Sequence, residues 1–320
     1  MVLDSPSFTI GEEQPKIAAT LPFIATLAAD LELNLMVVDV GCRWGFADAW
    51  SVFGSNVTLI GFDPDAAECE HLQNTYRGSG NILFIPKALG NSEGKKQLFL
   101  TAERACSSLY QPDPLITNSM PHLGCAKLAG ETEIDVTTMD IWAASAGIGD
   151  LDFIKLDTQG SELGVLEGAE NCLKSVRALQ IEVEFNPIYV GQPLFGDIDS
   201  FLRQRGFVLW QLSNLCHYTS WPNKSAFKYR DVQIFDGRIV STSRQGGQLF
   251  WADAYYVRKE VALVEETQNW QGCIRDACIA SVLGFRDLAG CLLEQALNRA
   301  PSNVIPKINK ALTKYYSILA

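Results

Sequence analysis

Met36-Val37-Val38-Asp39-Val40-Gly41-Cys42-Arg43-Trp44-Gly45 is the stretch from which the rest of the chain takes its meaning. Met36 to Val40 is a short apolar run rich in β-branched residues and closed by Gly41, the pattern of a strand buried on both faces of a parallel sheet. Gly41 and Gly45 bracket a tight turn, and Phe46 to Trp50 reads as the opening of a helix. Strand, glycine turn and helix together place backbone N–H groups and the Asp39 carboxylate at the carboxyl end of the first strand, where open α/β sheets bind nucleotide-like ligands.

The turn also bears on which nucleotide. A dinucleotide fingerprint needs G-x-G-x-x-G so that the backbone can approach a pyrophosphate. Here Cys42 stands in place of the middle glycine and no third glycine follows. S-adenosylmethionine carries an amino acid on a sulfonium and no phosphate, and a looser G-x-x-x-G turn suits it.

Composition narrows the class. The chain has 320 residues, 47% of them hydrophobic and 20% charged, enough for one large α/β domain with an appendage. A formal net charge of −11 argues against a nucleic-acid phosphate track and against docking on an anionic membrane. Nine cysteines, many within apolar segments (Cys69, Cys172, Cys278, Cys291) and none in a C-x-x-C pair, suit reduced thiols in a cytoplasmic protein better than a disulfide framework or a zinc site. The polar start from Met1 to Lys16 is unlike a secretory signal, and Leu21–Leu33 is broken by Asp30 and Glu32, so stable membrane insertion is not expected.

In chain order, Met1–Gln14 reads as a loose arm and Lys16–Leu33 as a helix leading into the first strand. Thr58–Asp63, Ile82–Ile85, Leu151–Asp157 and Ala178–Phe185 read as further core strands, with Asp65 capping a helix over Ala66–Tyr76. Gln97–Thr101 and Glu133–Thr137 look like extra strands flanking a long loop, Ala102–Gly130, which is rich in proline. Helices are expected at Met139–Ser145, Ser161–Leu173 and Asp197–Arg205. Two last strands, Phe207–Leu212 and Leu249–Val257, should run antiparallel around an irregular insertion, Ser213–Gly247. Beyond Glu260 only helical patterns remain. This gives an N-terminal arm and helix (1–34), an α/β domain (35–259) and a C-terminal helical extension (260–320). The extension is expected to pack on its own sheet or on a second copy of the chain, so a homo-oligomer is one outcome.

Candidate chemistry gathers at strand ends. Asp63, about twenty residues past the glycine turn, is placed to accept hydrogen bonds from both ribose hydroxyls or to serve as a turn residue before Pro64. Lys87-Ala88-Leu89-Gly90 offers small residues against which an adenine could lie. Asp157 ends a buried strand, Ser161 is expected to cap the next helix, and Glu162 suits the first-turn dipole. Lys155, mid-strand, is expected to pair with a strand carboxylate such as Glu182 or Glu184, or to lie on a partly exposed face. As acid–base candidates the chain offers Asp157, Glu184 and, in the insertion, His217, with His122 a further option. A Mg²⁺ site from Asp157, Glu162 and Glu184 would need convergence that spacing does not show, and no metal is assigned.

Val38–Gly45, Gly61-Phe62-Asp63-Pro64, Lys87–Gly90, Ser107-Ser108-Leu109, Val136–Asp140 and Asp152–Glu162 stand in the order and spacing of a known family. Over residues 35 to 258 the chain resembles the FkbM family of S-adenosylmethionine-dependent methyltransferases. The resemblance implies a class I methyltransferase (Rossmann-like) sheet of seven mostly parallel strands with helices on both faces. It also implies methyl transfer to a hydroxyl oxygen of a sugar, glycolipid or polyketide-like molecule. Cofactor contacts then fall to Asp39, Gly41, Arg43, Gly45, Asp63, Ala88 and Asp157, and catalysis to Asp157, Glu184 and His217. Two departures stand out. Gln159 occupies a place where the family commonly has Glu, and Cys42-Arg43-Trp44-Gly45 replaces Ala-Asn-x-Gly. Rival readings are an NAD-dependent oxidoreductase on a similar sheet and a non-catalytic binding module. The missing middle glycine counts against the first, and the joint presence of Asp39, Gly41, Gly45, Asp63 and Asp157 against the second.

Overall fold

The computed structural model describes residues 21–219, 230–235, 238–243, 247–263 and 269–319. The N-terminal arm and the aromatic residues Trp221, Phe227 and Tyr229 of the insertion lie outside these.

The path begins with α1 (Pro22–Asp30), Pro22 in its first turn where a missing N–H costs nothing, then β1 (Leu35–Val40). Where a helix was expected after the glycine turn, the chain forms a 3-10 stretch, Asp48–Asn56, broken at Gly54 (φ 53°), with Trp50 and Phe53 turned into the core. β2 (Val57–Phe62) leads to α2 (Ala66–Thr75), which Asp65 caps through the N–H groups of Ala67 and Glu68. There follow β3 (Asn81–Ile85), the two-residue β4 (Ala88–Leu89) and β5 (Gly94–Thr101).

The proline-rich segment predicted as loop is largely ordered into short elements. Asp113 caps α3 (Pro114–Ser119), Pro121 opens a 3-10 turn, and β6 (Leu128–Thr137) starts earlier than its β-branched residues suggested, because it pairs antiparallel with β5 along most of its length. Then come α4 (Met139–Ala146), β7 (Phe153–Leu156), α5 (Glu162–Glu167), β8 (Ala178–Glu184) and α6 (Phe195–Gln204). α5 stops well short of Leu173. At Gly168 a Cβ would collide with the Gly90 carbonyl oxygen, so the helix ends where two backbones touch.

The expected irregular insertion is more regular than its sequence. β9 (Phe207–Tyr218) runs on through His217, and β10 (Arg230–Phe235) and β11 (Arg238–Ser243) form an antiparallel hairpin before β12 (Gln248–Arg258). α7 (Lys259–Ala262), α8 (Trp270–Val282), α9 (Arg286–Arg299) and α10 (Ile305–Leu319) complete the chain.

The main sheet has the order β3-β2-β1-β7-β8-β12-β9, in which β12 alone runs against its neighbours. This is the architecture the resemblance implies, seven mostly parallel strands with a hairpin-like last pair. Alternation along β1 divides the two cores: Leu35 and Val37 pack with α1, α8, α9 and α10, whereas Met36, Val38 and Val40 pack with residues of α4, α5 and α6. The C-terminal helices therefore complete one face of the sheet. Arg177 clamps them through Asp276 (two bonds of 3.0 Å) and Glu260, and Arg275 reaches Asp152, whose Oδ2 also accepts the Met36 N–H. No described helix is long and apolar enough to cross a membrane. None of the nine cysteines is joined in a disulfide, and Cys291, expected to be buried, is exposed on α9.

Candidate functional site

β1, β2, β7 and β8 end side by side, so parallel pairing alone delivers Gly41, Asp63, Asp157 and Glu184 to one rim. A cavity of about 580 Å³ opens there, within the range of small-molecule sites. Gly41, Arg43, Asp63, Ala88, Asp157 and Gln159 are among its walls. A second small sheet, β4-β6-β5, closes it from the side with Leu98, Leu100 and Ile134.

Each wall has a local cause. Gly41 sits at φ 86°, and any Cβ there would strike the Asp157 carbonyl oxygen, so only glycine lets the β1 turn lie against the end of β7. Asp63 is buried; its Oδ1 accepts the Asp65 N–H at 2.8 Å, and burial pushes its carboxyl up to about 6. Arg43 bridges to Asp65 at 3.3 Å, which ties the glycine turn to the N-terminus of α2. Asp39 faces inward. Its strand partner in register is Lys155, and the two form an ion pair at 3.3 Å while Lys155 also approaches Asp157 at 3.7 Å. Lys155 thus pairs with Asp39 and Asp157 rather than with Glu182 or Glu184, because β1 and not β8 carries the acid directly opposite. Burial raises the Asp39 carboxyl, and Lys155 opposes the rise.

The segment after Asp157 is a knot. Glu162 Oε1 accepts from Thr158 N at 2.6 Å, from Thr158 Oγ1 at 3.0 Å and from Gly160 N at 3.3 Å. Burial pushes this carboxyl up to about 7. Ser161 does not cap α5; its hydroxyl donates to the Thr158 carbonyl instead. The loop holds Gln159 at φ 59°, a left-handed conformation uncommon for a side chain of this kind. From there Gln159 Nε2 donates to Asp157 Oδ1 at 2.9 Å and to Glu182 Oε2 at 2.7 Å, and Oε1 accepts from the Tyr189 hydroxyl at 3.3 Å.

A second cavity of about 230 Å³ adjoins the first, and Trp44, Ala105, Cys106 and Gln159 line both. Its own walls include His122, Tyr189, Tyr218, Trp251, Glu182 and Glu184. His122 stacks on Tyr218 at 5.7 Å, and the Trp251 indole donates to the Tyr218 hydroxyl at 2.9 Å. Glu182 and Glu184 are buried on alternate positions of β8, opposite Asp253 and Trp251 of β12. Burial first, then neighbouring carboxylates, raises both well above the ordinary range. The Gln192 amide opposes this at Glu184, yet among the described residues neither Glu184 Oε2 nor Gln192 Nε2 has a hydrogen-bond partner.

Of the residues singled out from sequence, Gly41, Arg43, Asp63, Ala88 and Asp157 converge on the first cavity and Glu184 on the second. Asp39 sits behind the first cavity on Lys155. Gly45 belongs to the turn, where a Cβ would meet the Tyr76 ring. His217 pairs with Leu249 along β9 and lines neither cavity. Sequence reasoning missed Tyr189 and Trp251, and the β5–β6 wall over the first cavity. Alternation at Leu98 and Leu100 was the available sign of a one-faced strand. Among the described residues no group of three His, Cys, Asp or Glu is arranged to hold a metal ion.

A model of the methyltransferase FkbM domain matches residues 46–209, just over half of the chain. The chain belongs to the FkbM methyltransferase family. This FkbM protein is also 21% identical over 169 residues to the 2-O-methyltransferase NoeI of Sinorhizobium fredii (strain NBRC 101917 / NGR234), covering 51% of this chain and 70% of that one. Among solved structures it is similar to magnesium protoporphyrin IX methyltransferase from Synechocystis PCC 6803 with bound SAM (13% identity, 73% and 76% of the two chains, TM-score 0.32). A second is an rRNA methylase from Streptococcus thermophilus (12% identity, 74% and 92%, TM-score 0.32).

The FkbM protein uses S-adenosylmethionine, and its first cavity fits that cofactor. Bound there, it would have Asp63 as an acceptor for its ribose hydroxyls, Ala88 and Leu89 as a small apolar surface for its base, and Asp157 as a carboxylate for its amino group. Phosphate-binding features are lacking at the turn, where Cys42 is buried with its thiol against Gly61.

Proposed function

We propose that this methyltransferase acts on a hydroxyl oxygen of a sugar, glycolipid or polyketide-like small molecule bound in the second cavity. The observation that carries this reading is the shared wall. Two cavities meet at Trp44, Ala105, Cys106 and Gln159, and the smaller one holds two buried carboxylates of raised proton affinity. When bound, S-adenosylmethionine supplies a methyl group already electrophilic on its sulfonium. What the chain must add is alignment, exclusion of water and removal of one proton.

Glu184 is the proposed base. Its Oε2 has no partner among the described residues, so it is available to the acceptor hydroxyl, and its raised proton affinity makes it a stronger base when ionised. Asp157 holds the cofactor side of the junction, and Gln159 fixes Asp157 relative to Glu182. The aromatic walls keep bulk water from the proton transfer. His217 receives no role. The alternation of polar and aromatic groups suits a sugar ring, and the likeness to a 2-O-methyltransferase agrees in direction.

The test is transfer of labelled methyl from S-adenosylmethionine to a panel of hydroxyl-bearing sugars, glycolipids and polyketides. Glu184→Gln is expected to lower kcat by roughly 10²- to 10⁴-fold while S-adenosylhomocysteine still binds. Full activity in that variant would remove Glu184 from the mechanism. Transfer to nitrogen or carbon acceptors alone would replace the oxygen reading.

A further inference from the structure

The charge of the second cavity is more specific than a hydroxyl site requires. Glu103, Glu182 and Glu184 are among its lining residues, and no Lys or Arg is, among the described residues. The first cavity differs: Arg43, Lys87 and Arg104 stand there among Asp63, Asp65 and Asp157. The cofactor's own positive charge is therefore served from the first cavity, and Glu182 and Glu184 lie on the far side of the shared wall.

Two further observations point to a ligand. Glu184 is 2% exposed and its Oε2 has no hydrogen-bond partner among the described residues, a costly arrangement unless something else meets it. Around the same space stand the rings of Trp44, Tyr189, Tyr218 and Trp251. Aromatic faces with a carboxylate at the base form the surroundings in which proteins recognise ammonium groups, since ring quadrupoles and carboxylates both attract a cation. A neutral hydroxyl would satisfy one lone pair. It would leave the mutual repulsion of Asp157, Glu162, Glu182, Glu184 and Asp253 in place.

We infer that the second cavity takes a protonated amine, so that the acceptor carries an ammonium group close to the hydroxyl that is methylated, as an amino sugar does. The inference rests on the second cavity being the acceptor site. An ammonium entering it relieves the crowding of acids and keeps Glu184 ionised, so that the same carboxylate is able to take the proton of the adjacent hydroxyl.

The experiment uses the full chain loaded with S-adenosylhomocysteine. Binding of glucosamine, glucose and N-acetylglucosamine is compared by saturation-transfer NMR and calorimetry, at a pH where glucosamine is protonated. Glucosamine is expected to bind at least ~10-fold tighter than either neutral sugar, the scale of one desolvated cation–aromatic and carboxylate contact. In Glu184→Gln that preference should shrink to under ~3-fold, with the S-adenosylhomocysteine affinity unchanged. Glu182→Gln serves as a second variant should the first misfold. Equal binding of the three sugars, binding of none, or a preference that survives both variants would overturn the inference. Loss of S-adenosylhomocysteine binding in the parent chain would instead count against the cofactor site, and the sugar comparison on the unloaded protein is read independently of it.

Discussion

Gln159 Nε2 lies 2.7 Å from Glu182 Oε2, and this bond couples the two cavities. The same nitrogen holds Asp157 at 2.9 Å, so one amide in a left-handed backbone fixes an acid of the first cavity against an acid of the second.

Replacing it tests that coupling. Gln159→Leu removes the donor to two carboxylates at little change of volume. Charge-assisted bonds of this kind are each worth about 1.5–3 kcal/mol, so kcat/KM should fall about ten- to a hundredfold. Losing a donor to the anionic form raises the affinity for protons. The acid limb of the rate profile should therefore move to higher pH, and an unmoved limb would confine Gln159 to a structural role.

Asp63, the proposed acceptor for the ribose hydroxyls, is expected to set the pH range of cofactor binding. Its carboxyl titrates at about 6 because it is buried, and only the ionised form accepts from two hydroxyls. Affinity for S-adenosylhomocysteine, followed by calorimetry, should weaken as the pH falls through 6. Asp63→Ala should bind roughly tenfold or more weakly at pH 7.5 and lose that dependence.

The buried acids predict an inverted stability profile. Glu162 titrates at about 7 in the native chain and near 4.5 when unfolded, and Glu182 and Glu184 are shifted the same way. Between those values the native state holds more protons than the unfolded state, so stability falls as pH rises through this window. Ligand-free protein should melt a few degrees higher at about pH 5.5 than at pH 7.5, and Glu184→Gln should flatten the slope.

The C-terminal helices are expected to be a structural part of the sheet. Asp276 is buried against Arg177, which retains only Glu260 when Asp276 is removed. Asp276→Ala should cost about 2–4 kcal/mol in chemical denaturation, since the guanidinium is left partly unpaired at a half-open site. Cofactor affinity at low temperature should be unchanged. A stable variant with weakened cofactor binding would assign the helices to the site instead.

Much of this was legible in the chain because it is local. β-branched runs closed by glycine or aspartate located β1, β2 and β7, and the D-P-D signal located the cap of α2. The misses each have a physical cause. Lys155 found its carboxylate on β1 rather than on β8, Ser161 turned its hydroxyl to the Thr158 carbonyl, and α5 ended early against Gly90. The first and last were settled by neighbours distant in sequence, the second by the conformation of the loop that carries it.

The sequence by itself determined the sheet's strand pattern, the glycine turn and the row of acids at the strand ends, since period-2 burial and turn chemistry are written residue by residue. Only the tertiary structure decided which acids share a cavity, because that depends on strand order. β7 lies between β1 and β8, and β12 returns antiparallel to set Trp251 beside Glu184. Pairing partners chosen across more than a hundred residues thus made one cavity of mixed charge and, beside it, one lined by acids and aromatic rings.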